Sequence, residues 1–300
     1  MKDTFRISVS LLAMALLAAC TIERRDPNDP DVVLSFQPAM YMQMDGEWQG
    51  DYPQGRTFGV WAWSLDARKE WESDSLSAEP FLEDEEVSPS SGGLWSPSRP
   101  VLWPSKDRNV TFIAGSPCVR VDACSKELGI EFRDVDLTKE QTDLLYTVLQ
   151  TDLNKISCGG NVTMPFSHAL CQVSFRVKSR GDGLEDGQIR IKKIEIGRAL
   201  CCGSFRSLPL PAWVTQGEPS ALTFFEGDFL SGRLPQDIGQ SLMVIPQVLD
   251  TTVDIAYEYR TAAGTHIART SSCPLTVNLQ PGRRYIYTLT AGIDEVNIVQ

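Results

Sequence analysis

The sequence predicts an all-β protein. The downstream half alternates apolar and polar residues with period two, and turn-forming residues punctuate those runs. Val173, Phe175 and Val177 interleave with Ser174, Arg176 and Lys178. Val253, Ile255, Tyr257 and Tyr259 interleave with Asp254, Ala256 and Glu258. Leu275, Val277 and Leu279 alternate with Thr276 and Asn278, and Tyr285, Tyr287 and Leu289 with Ile286, Thr288 and Thr290. Each run is a strand with one buried and one wet face, as in antiparallel sheets. Between Ile189 and Ile196 the alternation slips by one at Lys192-Lys193. A β-bulge there puts Ile189, Ile191, Ile194 and Ile196 on one face. Gly181-Asp182-Gly183, Asp186-Gly187, Gly264 and Pro281-Gly282 supply the turns, and strands at this spacing argue for a β-sandwich.

The upstream half is less regular. Phe58–Trp63 and Val110–Ala114 read as strands. Glu70–Val87 is acidic and reads as loop, and Ser88–Pro100 continues it with Ser, Gly and Pro. Thr138–Leu153 carries Leu144, Leu145, Val148 and Leu149 at helical spacing, with Asp136 or Thr138 as cap, and is expected to be the one helix of note. A boundary between two β domains falls near Cys158-Gly159-Gly160. The expected organisation is 1–19 signal peptide, 20–31 tether, 32–158 N-terminal domain and 159–300 C-terminal domain.

Lys2 and Arg6 precede an apolar run from Ile7 to Leu17, which is too short to span a bilayer and has the proportions of a secretory signal. Leu17-Ala18-Ala19-Cys20 resembles a bacterial lipobox, which makes Cys20 the expected lipidation site and new N-terminus. Several acyl chains, at about 0.8 kcal/mol per buried CH₂, give stable anchoring. The polar stretch Thr21–Pro30 reads as an extended tether.

The 300 residues carry 28 Lys plus Arg against 39 Asp plus Glu, a net charge of −11. Such an acidic chain has no electrostatic basis for gripping a phosphate backbone, so no nucleic-acid partner is expected. Only two histidines are present, His168 and His266, which removes most imidazole catalysis. Ser167 and His168 are neighbours on an expected strand and point to opposite faces, so they are not a nucleophile–base pair. Glu83-Asp84-Glu85-Glu86 lacks the glycine and spaced oxygens of a calcium loop. No phosphate-binding glycine loop or dinucleotide fingerprint is present. No catalytic residue, cofactor or metal ligand is therefore assigned, and the chain is read as a non-enzyme. Besides Cys20, Cys118, Cys124, Cys158, Cys171, Cys201, Cys202 and Cys273 match no zinc spacing and read chiefly as small buried hydrophobes, although Cys118 and Cys124 are close enough in sequence to close a loop.

The tryptophans crowd into the first third: Trp48, Trp61, Trp63, Trp71, Trp95 and Trp103, with only Trp213 beyond. Trp61 and Trp63 share one face of a strand and are core candidates. Trp48, Trp71 and Trp95 are the candidate glycan contacts of an alternative reading, a non-polymerising lipoprotein that stacks sugars on exposed rings; filling the first sandwich is the competing use of these rings.

Several dispersed segments together resemble the fimbrillin family, the lipoprotein-derived (type V) pilins and their Mfa-like relatives. These are Leu17–Cys20, Phe58–Trp63, Trp103-Pro104, Val110–Pro117, Gly129–Phe132, Asp143–Tyr146, Phe166–Leu170, Val244–Gln247 and Pro281–Leu289. The resemblance implies two transthyretin-like β-sandwich domains, lipid-dependent export to the outer membrane and cell surface, and a role as shaft, tip or anchor of a fimbrium. It implies other fimbrial subunits as partners through strand exchange, the outer membrane as a partner through lipid, and a host or glycan ligand for adhesion. Polymerising members lose an N-terminal strand after cleavage behind a basic residue. Here the expected leaving strand is Val32–Phe36, with about four apolar residues to bury, and Arg56 in Tyr52-Pro53-Gln54-Gly55-Arg56 is the expected processing site. Ile293–Val299 is expected either to donate to a neighbour or to close its own sheet.

Overall fold

The computed structural model describes residues 29–41, 51–180, 189–261 and 263–300. Internal contacts divide the chain into Met1–Pro30 and Asp31–Gln300, and every described strand lies in the second unit. The signal peptide, Cys20, most of the tether, Trp48 and the turns at 181–187 lie outside the described residues.

The first sheet uses β1 (Ser35–Met40), β2 (Phe58–Asp66), β3 (Glu79–Pro89), β4 (Trp95–Pro97) and β5 (Arg108–Ser116). After the hairpin of β6 (Ala123–Ser125) and β7 (Gly129–Asp136) come β8 (Leu145–Thr147), β9 (Gln150–Leu153) and β10 (Asn161–His168). The order is β2-β3-β4-β1-β10-β8-β5-β9, and β2 also pairs with β5, so the sheet closes on itself. Phe58, Val60, Ala62, Val110, Phe112 and Ala114 fill its interior.

Further strands are β11 (Cys171–Ser179), β12 (Ile189–Ala199), β13 (Cys202–Arg206), β14 (Ala212–Gln216) and β15 (Ser220–Ser231). They are followed by β16 (Gln236–Val244), β17 (Val248–Arg260), β18 (His266–Asn278), β19 (Arg284–Ala291) and β20 (Val296–Val299). A sheet of order β14-β13-β7-β6 covers the outer face of β2 and β5, where Phe132 and Phe205 join Trp61, Trp63 and Ile113 in a second core. This explains why Phe58–Leu65 is apolar without alternation: the strand is buried on both faces. The sheets β16-β11-β19-β20 and β15-β12-β17-β18 enclose a third core, in which Val173, Phe175 and Tyr287 meet Ile194, Val253 and Ile255.

The all-β class expected from the sequence holds. So does the bulge: β12 changes register between Ile191 and Lys193 against both neighbours, and Ile189, Ile191, Ile194 and Ile196 are all fully buried. Beyond the expected division at 158/159, β10 and the β13–β14 hairpin are hydrogen-bonded to β1, β8 and β7, which lie before it.

Two local expectations are corrected. The helix over Thr138–Leu153 is replaced by β8 and β9. Leu144 and Leu145 mimic a helical stripe, but they face different cores, Leu145 the interior of the closed sheet and Leu144 the layer above it, as strand neighbours do. The described helices are instead α1 (Trp71–Asp74) and α2 (Lys155–Cys158). The acidic loop expected at Glu70–Val87 holds the 11-residue β3. Its two buried residues, Leu82 and Val87, are five apart rather than an even number, because Asp84 takes a positive φ of 48° and the register slips. Charge and bulge together hid the alternation.

Candidate functional site

The region singled out by the sequence is β1 and the turn that follows it. β1 runs parallel to β10 from Ser35↔Asn161 to Met40↔Phe166, while on its other side it meets β4 at a single pair, Phe36↔Trp95. The strand expected at Val32–Phe36 thus begins later and runs further. Pro38 is tolerated there for a directional reason. The Ser35 and Tyr41 N–H groups donate to Gly160 and Phe166 across the β10 side, at 2.8 and 2.7 Å. Even-numbered residues therefore face the β4 side, where pairing has ended and a missing N–H costs no ladder bond.

Leu34 N–H donates to Val101 O at 2.8 Å, and Trp103 N–H donates to Val32 O at 2.9 Å, which fixes the strand's entry. Leu34 and Phe36 are fully buried, and the Phe36 ring stands edge-on to Phe58 and Phe112 at 6.1 and 5.9 Å. Val33, counted with the apolar set, is 56% exposed, so its side chain adds little. Gly160 has φ +88°, and a Cβ there would come within 2.6 Å of Val32 Cγ1 and 2.9 Å of Val33 O. Glycine is thus required where β10 begins beside the incoming chain.

The turn after β1 returns through a second buried residue. Tyr52 is 4% exposed and packs on Phe58, Trp95 and Phe166 with centroid distances of 5.9, 5.2 and 4.9 Å. Its hydroxyl lies 2.7 Å from Ser116 Oγ and donates to the Arg56 carbonyl at 3.2 Å. Burial pushes the Tyr52 phenol up to about 12, so it stays a neutral donor at physiological pH. Arg56 N–H closes the turn on Pro53 O at 3.2 Å, with Gly55 at φ +77°.

The Arg56 side chain is 28% exposed. Its Nη1 donates to the Asp143 carbonyl at 3.0 Å and lies 3.9 Å from the Asp143 carboxylate. That carboxylate also holds His168 Nδ1 at 3.0 Å. On the far side of the Arg56–Thr57 bond, Thr57 O accepts from Ser116 Oγ at 3.3 Å and from Cys118 N–H at 3.2 Å. Sequence reasoning found Arg56 but missed Tyr52, Asp143 and Ser116. Tyr52 was legible in principle, as a lone aromatic between Asp51 and the turn Pro53–Gly55; the other two arrive through tertiary folding.

The remaining candidates are dispersed. Trp71 and Trp95, at 8% and 6% exposure, belong to two different cores, so neither presents a ring face to a sugar; large apolar rings in this first sandwich are used to fill it. His266 is exposed and lies 3.7 Å from the Glu258 carboxylate, remote in sequence and in sheet from His168. The described cysteines are free thiols, and Cys171, Cys201 and Cys273 are buried. β20 pairs antiparallel with β19; Val296 is buried and its N–H donates to Ser271 Oγ at 3.2 Å, so this segment closes its own sheet.

β1 is thus a buried strand inserted in a closed β-layer and followed by a turn that carries a lone arginine. A fimbrillin-like family model matches residues 45–300, and the chain belongs to that family. Among solved structures, a fimbrial protein from Bacteroides vulgatus matches with a TM-score of 0.68 at 14% identity, covering 89% of this chain and 98% of that one. Candidate cell adhesion proteins from Bacteroides uniformis and Bacteroides ovatus match with TM-scores of 0.58 and 0.55, each at 14% identity. They cover 89% and 90% of this chain and 96% and 95% of their own. At such identity the likeness is one of fold. No curated protein matches the chain significantly.

Proposed function

We propose that this chain is a non-enzymatic structural subunit or accessory of a cell-surface fimbrium. It is exported as a precursor anchored to the outer membrane through lipid on Cys20, and it joins other subunits by strand exchange once β1 has been cut away behind Arg56. The observation that carries this reading is the placement of β1. It fills a slot between β10 and β4, and Arg56 is the only Lys or Arg between Asp31 and Asp66. A cut there detaches β1 and removes no other strand of the closed sheet.

A strand that replaces β1 takes over the seats of Leu34 and Phe36, each worth roughly 1.5–3 kcal/mol of burial. An incoming strand recovers this and the backbone bonds along β10, less its ordering cost. Because β20 is engaged in its own sheet, the reading places the protein at a tip or an anchor rather than in a shaft. Electron microscopy of surface filaments with and without the gene, with the protein immunolabelled, tests this. Label on filaments and altered filaments in the deletion support it; label spread over cells with unchanged, unlabelled filaments contradicts it.

A further inference from the structure

The peptide bond after Arg56 divides the chain so that β1, Tyr52 and Arg56 all fall on the fragment side. Each of the three is independently fastened to the body. β1 is held by the β10 ladder and by Leu34 and Phe36 in the core. Tyr52 is held by three aromatic rings and Ser116, and Arg56 by Asp143. Cutting one bond removes none of these contacts.

We propose that Tyr52 is a retention anchor. After the cut the β1 fragment stays seated, and the body persists as a two-piece complex until a strand from another chain displaces it. This rests on the reading of Arg56 as the processing site for its biological setting, but not for its physics. The displacing strand is extended, runs parallel to β10, and carries two large apolar side chains two residues apart to replace Leu34 and Phe36. The nicked body therefore never shows an empty slot to solvent. Such a slot would be an apolar groove with unpaired backbone, an aggregation site at the cell surface.

The test is a full chain with a foreign protease's recognition sequence inserted between Arg56 and Thr57, cut in solution and passed over a sizing column without denaturant. The fragment ending at the inserted site is expected to co-elute with the body and to separate only in denaturant. A fragment that leaves the native body as soon as the bond is cut overturns the proposal. Tyr52→Ala is expected to speed release roughly ten-fold or more, through loss of a buried ring. Tyr52→Phe, which keeps the ring and loses only the hydroxyl contacts, is expected to speed it about three-fold. Release unchanged in both variants removes the anchor role. Excess synthetic peptide of sequence Val32–Tyr41 is expected to accelerate release, and the same peptide with both Leu34 and Phe36 replaced by serine is not; equal effects of the two peptides contradict displacement by a matching strand. Because the cut is supplied by the inserted site, a failed retention result is distinct from a failure of Arg56 as the natural site, which terminal sequencing of the native protein reads separately.

Discussion

Arg56 and Asp143, 87 residues apart, are joined at 3.0 Å through the Asp143 carbonyl and face each other at 3.9 Å through its carboxylate. The contact ties the turn after β1 to the segment leading into β8. A protease that takes arginine must first draw this side chain out of its seat, while Thr57 on the other side is held by Ser116 and Cys118. Both sides of the bond are tied to the body, so cleavage there is expected to require local opening.

Asp143→Asn removes the charge and keeps the carbonyl contact. A partly exposed ion pair is worth about 0–1 kcal/mol. Cleavage at Arg56 by an arginine-specific protease is therefore expected to rise about two- to five-fold, measured by the rate at which the Thr57 N-terminus accumulates. A rate unchanged from the parent would show that the Asp143 carboxylate does not restrain the turn.

Phe36→Ala leaves a hole beside Phe58 and Phe112. The uncut protein should lose about 3–5 kcal/mol in denaturant unfolding. In assembled material, where a strand from another chain has displaced β1, residue 36 is expected to be absent and stability should not depend on the substitution. A difference that persists in assembled material would mean that β1 has not been displaced there.

Gly160→Ala places a methyl group against Val32 and the Val33 carbonyl at a φ of +88°. The precursor is expected to melt several degrees lower, with protection from hydrogen exchange lost along Ser35–Met40 first. Uniform loss across the molecule would contradict this local reading.

Deletion of Lys193 removes the extra residue of the bulge and leaves Ile189, Ile191, Ile194 and Ile196 in strict alternation, so all four stay on the buried face of β12. The cost is expected to fall well below the roughly 3–6 kcal/mol that exposing two isoleucines would carry. Thermal melts of the deletion variant and the parent measure it; a loss of that size would contradict the bulge.

Cys118 has its thiol pushed up to about 11, chiefly by burial, with Asp84 and Glu86 adding to it. A raised value keeps the unreactive protonated form throughout the neutral range. Alkylation at pH 8 should be about two orders of magnitude slower than for a free cysteine and rise about ten-fold per pH unit toward that value. Peptide mapping of modified Cys118 measures it; rapid labelling at pH 7 would contradict the burial.

What the sequence made legible follows from where each signal resides. β12, β17, β18 and β19 each have one wet face, so polar residues mark alternate positions, and even the Lys192-Lys193 slip could be read; β11 keeps the same alternation although Gln172 and Ser174 are buried. β2 and the Leu144–Tyr146 segment serve two cores at once, which erases alternation and makes Leu144-Leu145 look helical. β3 hides under its own acidic side chains. In the candidate site, Arg56 stands out as a lone cation in a turn. Its restraint by Asp143, the Tyr52 anchor and the burial of Trp71 and Trp95 depend on chain segments far apart in sequence.

N-terminal sequencing of the protein shed from the cell surface tests the central claim most directly. The account predicts a chain beginning at Thr57. Assembled material in which Val32–Phe36 remains joined through Arg56 to Thr57 would contradict it.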